Sequence, residues 1–261
     1  MSEDRPRVLI VEDEPDMNSL EADILTAYGF EPIRASDAEE ALAALSKCTP
    51  DAILLDLMLP GLSGLELCRR LKSARATQAI PIVICSALDA AAERRLGYEA
   101  GADDYIAKPF TPEALVSRVQ MCRDRHPCGH LELTFDLTAS LADIKAVNTL
   151  VSCLYQQTDL APPQIEALRA GLLAISDAAG RWAVRHRGAP PVRLTMDLDR
   201  ERLLLKFKAA ADGGDAFLAE HLDAEASVPS GFTDAGVIDR LDRCDGDVVL
   251  EKVFPPPSPG A

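Results

Sequence analysis

Clusters of lysine and arginine are missing from this sequence, and so is any apolar run long enough to span a membrane. Lys and Arg total 27 against 42 Asp and Glu, a formal net charge of −15, so no basic surface is available to follow a nucleic-acid backbone. Without an unbroken apolar segment of about 20 residues, a membrane span is excluded. Met1 to Arg7 carry no signal-peptide pattern and lead directly into a strand, so a cytoplasmic location is expected. The cysteines number seven, are scattered and have no paired C-x-x-C spacing, which fits reduced buried thiols better than disulfides or zinc. What is present is ordinary globular material: 261 residues, 48% hydrophobic and 26% charged, enough for two domains with well-filled cores.

The stretch from Asp51 to Gly64, DAILLDLMLPGLSG, puts a single carboxylate at the end of an apolar run. Ile53, Leu54 and Leu55 form a β-prone run too short for a helix, and the Pro60-Gly61 turn closes it. Such a run fits a central parallel strand, buried on both faces, that delivers Asp56 to the carboxyl edge of a sheet. Val8 to Val11 is a second such run and ends on Glu12, Asp13 and Glu14. Further strands are expected at Glu31–Arg34, Ile80–Cys85 and Tyr105–Ala107. Helices are expected from Pro15 to a stop at Gly29, and over Ala38–Leu45, Leu65–Leu71, Ala90–Ala100 and Pro112–Cys122. Strand and helix alternating in this way predict a doubly wound α/β parallel sheet with helices on both faces.

The motifs VLIVEDE, ILLDLMLPGLSG, PIVICSA and GADDYIAKPF, in this order and spacing, resemble the receiver domain of two-component response regulators over roughly residues 6 to 125. The family's sheet order implies that Glu12, Asp13, Asp56, Ser86 and Lys108 converge. Three crowded carboxylates repel unless a cation sits among them, and Mg²⁺ suits an all-oxygen site of that size. With the metal bound, Asp56 can attack a phosphoryl donor and form an aspartyl-phosphate, while Lys108 neutralises charge. The resemblance further implies that Asp13 is a direct metal ligand, that Glu12 acts partly through water, and that the Met58 carbonyl completes the shell. It also implies that Lys108 holds the phosphoryl group and has a cis bond to Pro109, and that Ser86 and Tyr105 form the switch pair. Arg94, Glu99, Asp103, Asp104 and Arg118 stand where one large subfamily pairs charges across a homodimer. Met58 and Leu88 are apolar where the family tunes hydrolysis, so slow loss of phosphate is expected. Taken singly, Asp56 reads as a strand-end turn residue and Glu12-Asp13 as a helix N-terminal acid cluster; their joint spacing with Ser86 and Lys108-Pro109 favours the site.

Beyond a short junction at residues 126–130, which implies close packing of the two domains, residues 131–254 read as an α+β sandwich of one sheet layer and one helix layer. Strands are expected at Leu131–Leu137, Pro191–Leu198, Arg202–Ala209 and Val248–Phe254, with a turn at Asp199-Arg200. Helices are expected at Asp143–Gln156, at Pro162 through Trp182, and at Asp234–Arg243. Asp212-Gly213-Gly214 reads as a loop, Trp182 as core, and residues 255–261 as a disordered tail. Neither His126 nor His130 has the helical setting of a phosphorelay histidine.

In element order, residues 130 to 254 resemble the histidine-kinase-type ATPase fold of serine-kinase-type anti-sigma factors. The family's first nucleotide box has a Glu and, four residues on, a metal-binding Asn; here Asp177 and Arg181 stand there, with Gly180 beside them. The adenine-recognising Asp-x-Gly-x-Gly is absent, and Gly231 and Gly236 lack the spacing that wraps phosphates. A degenerate fold without nucleotide-binding residues is therefore expected. The full expectation is a response regulator fed by a histidine kinase or histidine phosphotransfer protein, with an output domain that binds a sigma-type, anti-sigma-type or other signalling protein. No enzymatic activity is expected beyond phosphoacceptance and self-dephosphorylation. The alternatives are a phosphorylation-gated kinase with residual ATP binding, and a domain that only dimerises the chain or docks its kinase.

Overall fold

The structure is a computed structural model, and it describes residues 5–87, 91–124, 131–158, 160–186, 192–199, 201–210, 214–222, 238–244 and 247–254. The chain divides into two compact units, Met1–His126 and Pro127–Ala261. Leu88, Ala90, the junction at 126–130, Asp212, Gly213, Gly231, Gly236 and the tail at 255–261 lie outside the described residues.

The first unit runs β1 (Arg7–Val11), α1 (Pro15–Ala27), β2 (Glu31–Ala35), α2 (Ala38–Leu45), β3 (Ala52–Leu55), α3 (Gly64–Ser73), β4 (Ile82–Ser86), α4 (Ala91–Glu99), β5 (Asp104–Ala107) and α5 (Pro112–Asp124). Its strands form one parallel sheet in the order β2-β1-β3-β4-β5. The chain leaves β1 toward β2 on one side and returns to β3 on the other, which opens a crevice at the carboxyl ends of β1 and β3. β1, β3 and β4 are buried along nearly their whole length because both faces are covered. Val8, Ile10, Leu54, Val83 and Cys85 pack against Leu25 of α1 and Leu115 and Val119 of α5.

Local signals explain where these elements begin and end. Pro15 opens α1, and the helix closes in a Schellman motif: Gly29 takes φ +88°, its N–H reaches Thr26 O, and Phe30 N–H reaches Leu25 O. Asp37 caps α2 by accepting from Glu40 N at 2.8 Å, while Glu40 returns to accept from Ser36 N at 2.8 Å. On the edge strand β2, Glu31 N donates to Pro6 O, so the next backbone nitrogen, that of Pro32, faces away from β1 where no donor is required.

The second unit runs β6 (Leu131–Asp136), α6 (Leu141–Gln157), α7 (Pro162–His186), β7 (Val192–Leu198), β8 (Arg202–Ala209), α8 (Gly214–His221), β9 (Arg240–Cys244) and β10 (Asp247–Val253). The strands form an antiparallel sheet in the order β6-β7-β8-β10-β9. Leu194, Met196 and Leu198 alternate inward with their register partners Phe207, Leu205 and Leu203, and all six are fully buried. Against them pack Leu150 and Leu154 of α6, Ile165, Leu168, Leu172 and Ile175 of α7, and Phe217 and Leu218 of α8. The fold is an α+β sandwich of one sheet layer and one helix layer.

Two expectations for this unit fail. Residues 240–243, expected to end a helix, form β9 together with Cys244, and Leu241 pairs with Leu250 of β10. The overlooked signal is the sequence Asp245-Gly246, a dipeptide favoured in two-residue hairpins, between the register partners Cys244 and Asp247. Gly214, expected in a loop, instead opens α8, whose Phe217 and Leu218 are fully buried, as is Leu222 just beyond the helix. The glycine pair masked a helical spacing that lies just after it.

A buried carboxylate organises the start of α6. Asp143, 1% exposed, accepts from Thr138 N at 2.8 Å, Ala139 N at 3.1 Å and the hydroxyls of Thr138, Ser140 and Ser176. Ala139 takes φ 56° in this loop. A Cβ on Gly180 of α7 would stand 2.6 Å from the Ala139 methyl, so glycine is what lets the long helix approach the loop.

Candidate functional site

The crevice at the carboxyl ends of the first sheet gathers Glu12 from just past β1, Asp56 from just past β3 and Lys108 from just past β5. Asp56 is 7% exposed and Glu12 is 2% exposed, an arrangement that needs compensation for two buried carboxylates. Lys108 supplies it: its Nζ donates to Glu12 Oε2 at 2.5 Å and to Asp56 Oδ2 at 2.6 Å. The remaining oxygens also have partners, since Asp56 Oδ1 accepts from Met58 N at 3.0 Å and Glu12 Oε1 from Glu14 N at 3.3 Å. The Lys108–Pro109 peptide bond is cis.

The electrostatics follow from these contacts. Burial pushes the Asp56 carboxyl up, but its bonds from the Lys108 ammonium and the Met58 amide outweigh burial and hold it below the usual range. At Glu12 burial dominates and the carboxyl lies above its ordinary value, with Lys108 opposing. Burial alone would lower the Lys108 ammonium, yet its bonds to Asp56 and Glu12 raise it, so it stays charged. Asp56 is thus an ionised, oriented carboxylate at neutral pH.

One oxygen each from Glu12, Asp13 and Asp56 lie within 4.8 Å of one another, with Asp13 exposed and the other two buried. Three carboxylate oxygens converging on one point form a hard-donor set, which fits a small divalent cation and leaves positions for water. Met58, whose N–H is bonded to Asp56, is 61% exposed.

Ser86, at the end of β4, is fully buried, and its carbonyl accepts from Lys108 N at 2.9 Å. Tyr105, on β5, is 6% exposed, and its ring lies where a Cβ on Gly97 of α4 would meet it at 3.6 Å. Of the residues read as a dimer face, Asp103 departs: it is 4% exposed and bound to Lys72 Nζ at 2.7 Å, where it also accepts from Ile82 N. Asp104 is likewise buried, and its carboxylate accepts from Tyr98 Oη and meets Arg118 at 3.2 Å within the same chain. Glu99 pairs with Arg95 along α4. The sequence could not separate pairs within the chain from pairs between chains.

Sequence reasoning missed Glu21. It is 1% exposed on the inner side of α1, and it accepts from the Cys85 thiol at 3.4 Å. Burial pushes its carboxyl up to about 7, with Lys108 opposing and Glu12 adding to the rise. A polar residue within the apolar spacing of α1 was the available signal.

Gly64, the first residue of α3, sets the distance between that helix and the Asp56 loop. Its N–H donates to Leu57 O at 3.1 Å, and a Cβ there would stand 2.0 Å from Asp56 O and 2.7 Å from Leu57 Cα. Both are backbone atoms that cannot turn aside. Gly64→Ala is expected to lower stability by about 1–3 kcal/mol through overpacking and to displace the Asp56 backbone. Urea unfolding of the variant would measure the first effect, and the rate of phosphoryl incorporation the second. A variant unchanged in both would show that α3 moves away freely.

In the second unit, Arg181 is bonded to Asp177, one helical turn earlier on α7. With Thr138, Ala139, Gly180, Val184 and Arg185 they line an open groove of about 390 Å³. Trp182 is partly buried against the core, stacked on His186 at 4.1 Å and edge-on to Phe217 at 5.8 Å.

The profile of the response regulator receiver domain matches residues 8–120. Over 120 residues the chain is 46% identical to the transcriptional regulatory protein BaeR of Escherichia coli O6:H1, covering 46% of this chain and 49% of that protein. It is 42% identical over 116 residues to the DNA-binding response regulator MtrA of Mycolicibacterium smegmatis, covering 44% and 50% respectively. The chain thus spans about half the length of the curated relatives it matches. Among solved structures, the receiver domain of the Francisella response regulator 1452 is similar at 30% identity and a TM-score of 0.44, covering 47% of this chain and 99% of that one. The parallel sheet, the acidic crevice and the profile match agree on the same span, and residues 8–120 of this chain are a response regulator receiver domain.

Proposed function

We propose that the chain is a response regulator that accepts a phosphoryl group on Asp56 from a histidine kinase or histidine phosphotransfer protein. The observation that carries this reading is the Lys108 ammonium, bonded at once to Glu12 and to an Asp56 carboxylate held in its ionised form. Glu12, Asp13 and Asp56 would hold Mg²⁺, and the resemblance adds the Met58 carbonyl to that set. Bound there, the ion would offset charge on the phosphoryl oxygens. Asp56 supplies the attacking oxygen, and the incoming group draws Lys108 onto itself. Ser86 and Tyr105 lie on the adjoining strands β4 and β5, so a rearrangement at Asp56 would reach them first.

The second unit, in our reading, is a protein-binding output module of ATPase-like architecture that no longer holds a nucleotide. Arg181 is engaged by Asp177 where that architecture needs a metal-binding amide, and Gly180 is pressed against Ala139. Contact with a protein is favoured over contact with DNA. MtrA is named as DNA-binding, but the matched profile ends at residue 120, before this unit begins. Two of the outer-sheet cations here are paired with carboxylates, Arg193 with Asp136 and Lys206 with Asp247. Calorimetric titration of the full chain with Mg²⁺-ATP at millimolar concentration tests the reading. No saturable heat is expected; saturable binding that survives blocking of Asp56 would make the second unit a nucleotide-binding domain instead.

A further inference from the structure

Asn18 is the fourth residue of α1 and 4% exposed, an unfavourable place for a short amide unless its groups are used. Both donors of its Nδ2 are used on strand ends: Glu12 O at 2.9 Å and Ala35 O at 3.0 Å. Glu12 directly follows β1 and Ala35 is the last residue of β2, and Ala35 O also accepts from Glu12 N at 3.1 Å. The amide oxygen accepts from Arg34 Nε at 2.5 Å, and the same guanidinium donates to Ser19 Oγ at 3.0 Å. Arg34 therefore fixes which way the amide faces, since a flipped amide would set an oxygen against two carbonyls. Asn18, Arg34 and the two carbonyls form one closed set of bonds around the backbone of Glu12.

We infer that Asn18, oriented by Arg34, is a positioning residue for the acidic cation site, holding the turn that presents Glu12 and Asp13. The inference rests on the reading of Glu12, Asp13 and Asp56 as a Mg²⁺ site. Neither residue touches the reacting groups; both act through the backbone of Glu12. The side chain of Glu12 is fixed from the other direction by Lys108, so the Asn18 clamp sets where its main chain lies. Mg²⁺ accepts ligands only near ideal octahedral positions, which makes its affinity sensitive to small shifts of this turn. Loss of an orienting hydrogen bond behind a metal ligand lowers metal affinity by about 10- to 100-fold.

The test is Mg²⁺ binding to the full chain by calorimetry, together with the rate of phosphorylation by acetyl phosphate as Mg²⁺ is varied. Asn18→Leu is expected to raise the Mg²⁺ dissociation constant by about tenfold while the rate at saturating Mg²⁺ stays near that of the wild type. Arg34→Gln, at a more exposed position, is expected to shift affinity in the same direction by less, and it decides the matter if Asn18→Leu does not fold. A lower unfolding temperature with unchanged Mg²⁺ affinity in the folded variants would overturn the inference and leave Asn18 a structural residue. Failure of the wild-type chain to bind Mg²⁺ would overturn the underlying site reading instead, and the inference with it.

Discussion

Asp56→Asn is expected to abolish phosphoryl incorporation completely. Asp56 Oδ2 is held by Lys108 and Oδ1 by the Met58 amide, so the carboxylate is oriented before any donor arrives. In the proposed reaction, one Asp56 oxygen would form a bond to phosphorus while the bond from phosphorus to the donor's oxygen or nitrogen breaks, and the donor would depart with that electron pair. The carboxamide of Asn keeps the shape and one acceptor for Lys108, but it has no anionic oxygen to attack with. Intact mass after treatment with acetyl phosphate and Mg²⁺ should show one added phosphoryl group on the wild type and none on the variant. A phosphoryl group on the variant would place the acceptor elsewhere.

Glu21→Gln is expected to stabilise the protein progressively as pH rises from 4.5 to about 7 and fully above that window, but not below pH 4.5. Burial raises the Glu21 carboxyl from 4.5 to about 7 in the folded chain. Below 4.5 both folded and unfolded chains carry the proton, and the residue costs nothing. Between 4.5 and about 7 the unfolded chain releases the proton while the folded chain retains it, so stability falls as pH rises through this window. Above it the full cost is present, about 3 kcal/mol for a change of that size. Gln retains an acceptor for the Cys85 thiol and does not ionise. Urea unfolding in chelator should therefore favour the variant by about 3 kcal/mol at pH 8 and by little near pH 4. A difference independent of pH would mean that Glu21 is ionised throughout.

The receiver sheet was legible because its strands are short apolar runs bounded by turn residues. Ala38–Leu45 appears as expected, and Ile53–Leu55 is short by one residue. β4 begins at Ile82 instead of Ile80, since Pro81 interrupts regular pairing. The acidic crevice was legible for a different reason: each member lies at a strand end, and sheet order brings strand ends together. Glu21 with Cys85, Asn18 with Arg34, and Lys72 with Asp103 were not legible. These pairs join elements that periodicity treats separately, and a charge on a helix looks the same whether it faces solvent or a partner. In the second unit the buried alternation of β7 and β8 was plain, whereas Gly213-Gly214 concealed α8 and the Asp-Gly dipeptide before β10 went unread as a turn signal.

The proline in the outer strand of the receiver has a consequence for how copies of this chain can meet. A strand joining a sheet edge needs donors as well as acceptors along that edge, and at Pro32 the edge offers a carbonyl but no N–H. Pairing on that side would break after one or two bonds. Growth of the sheet into a ribbon shared between molecules is therefore blocked at β2, and self-association on this flank has to be written in side chains, where charge and shape can be selective, instead of in backbone.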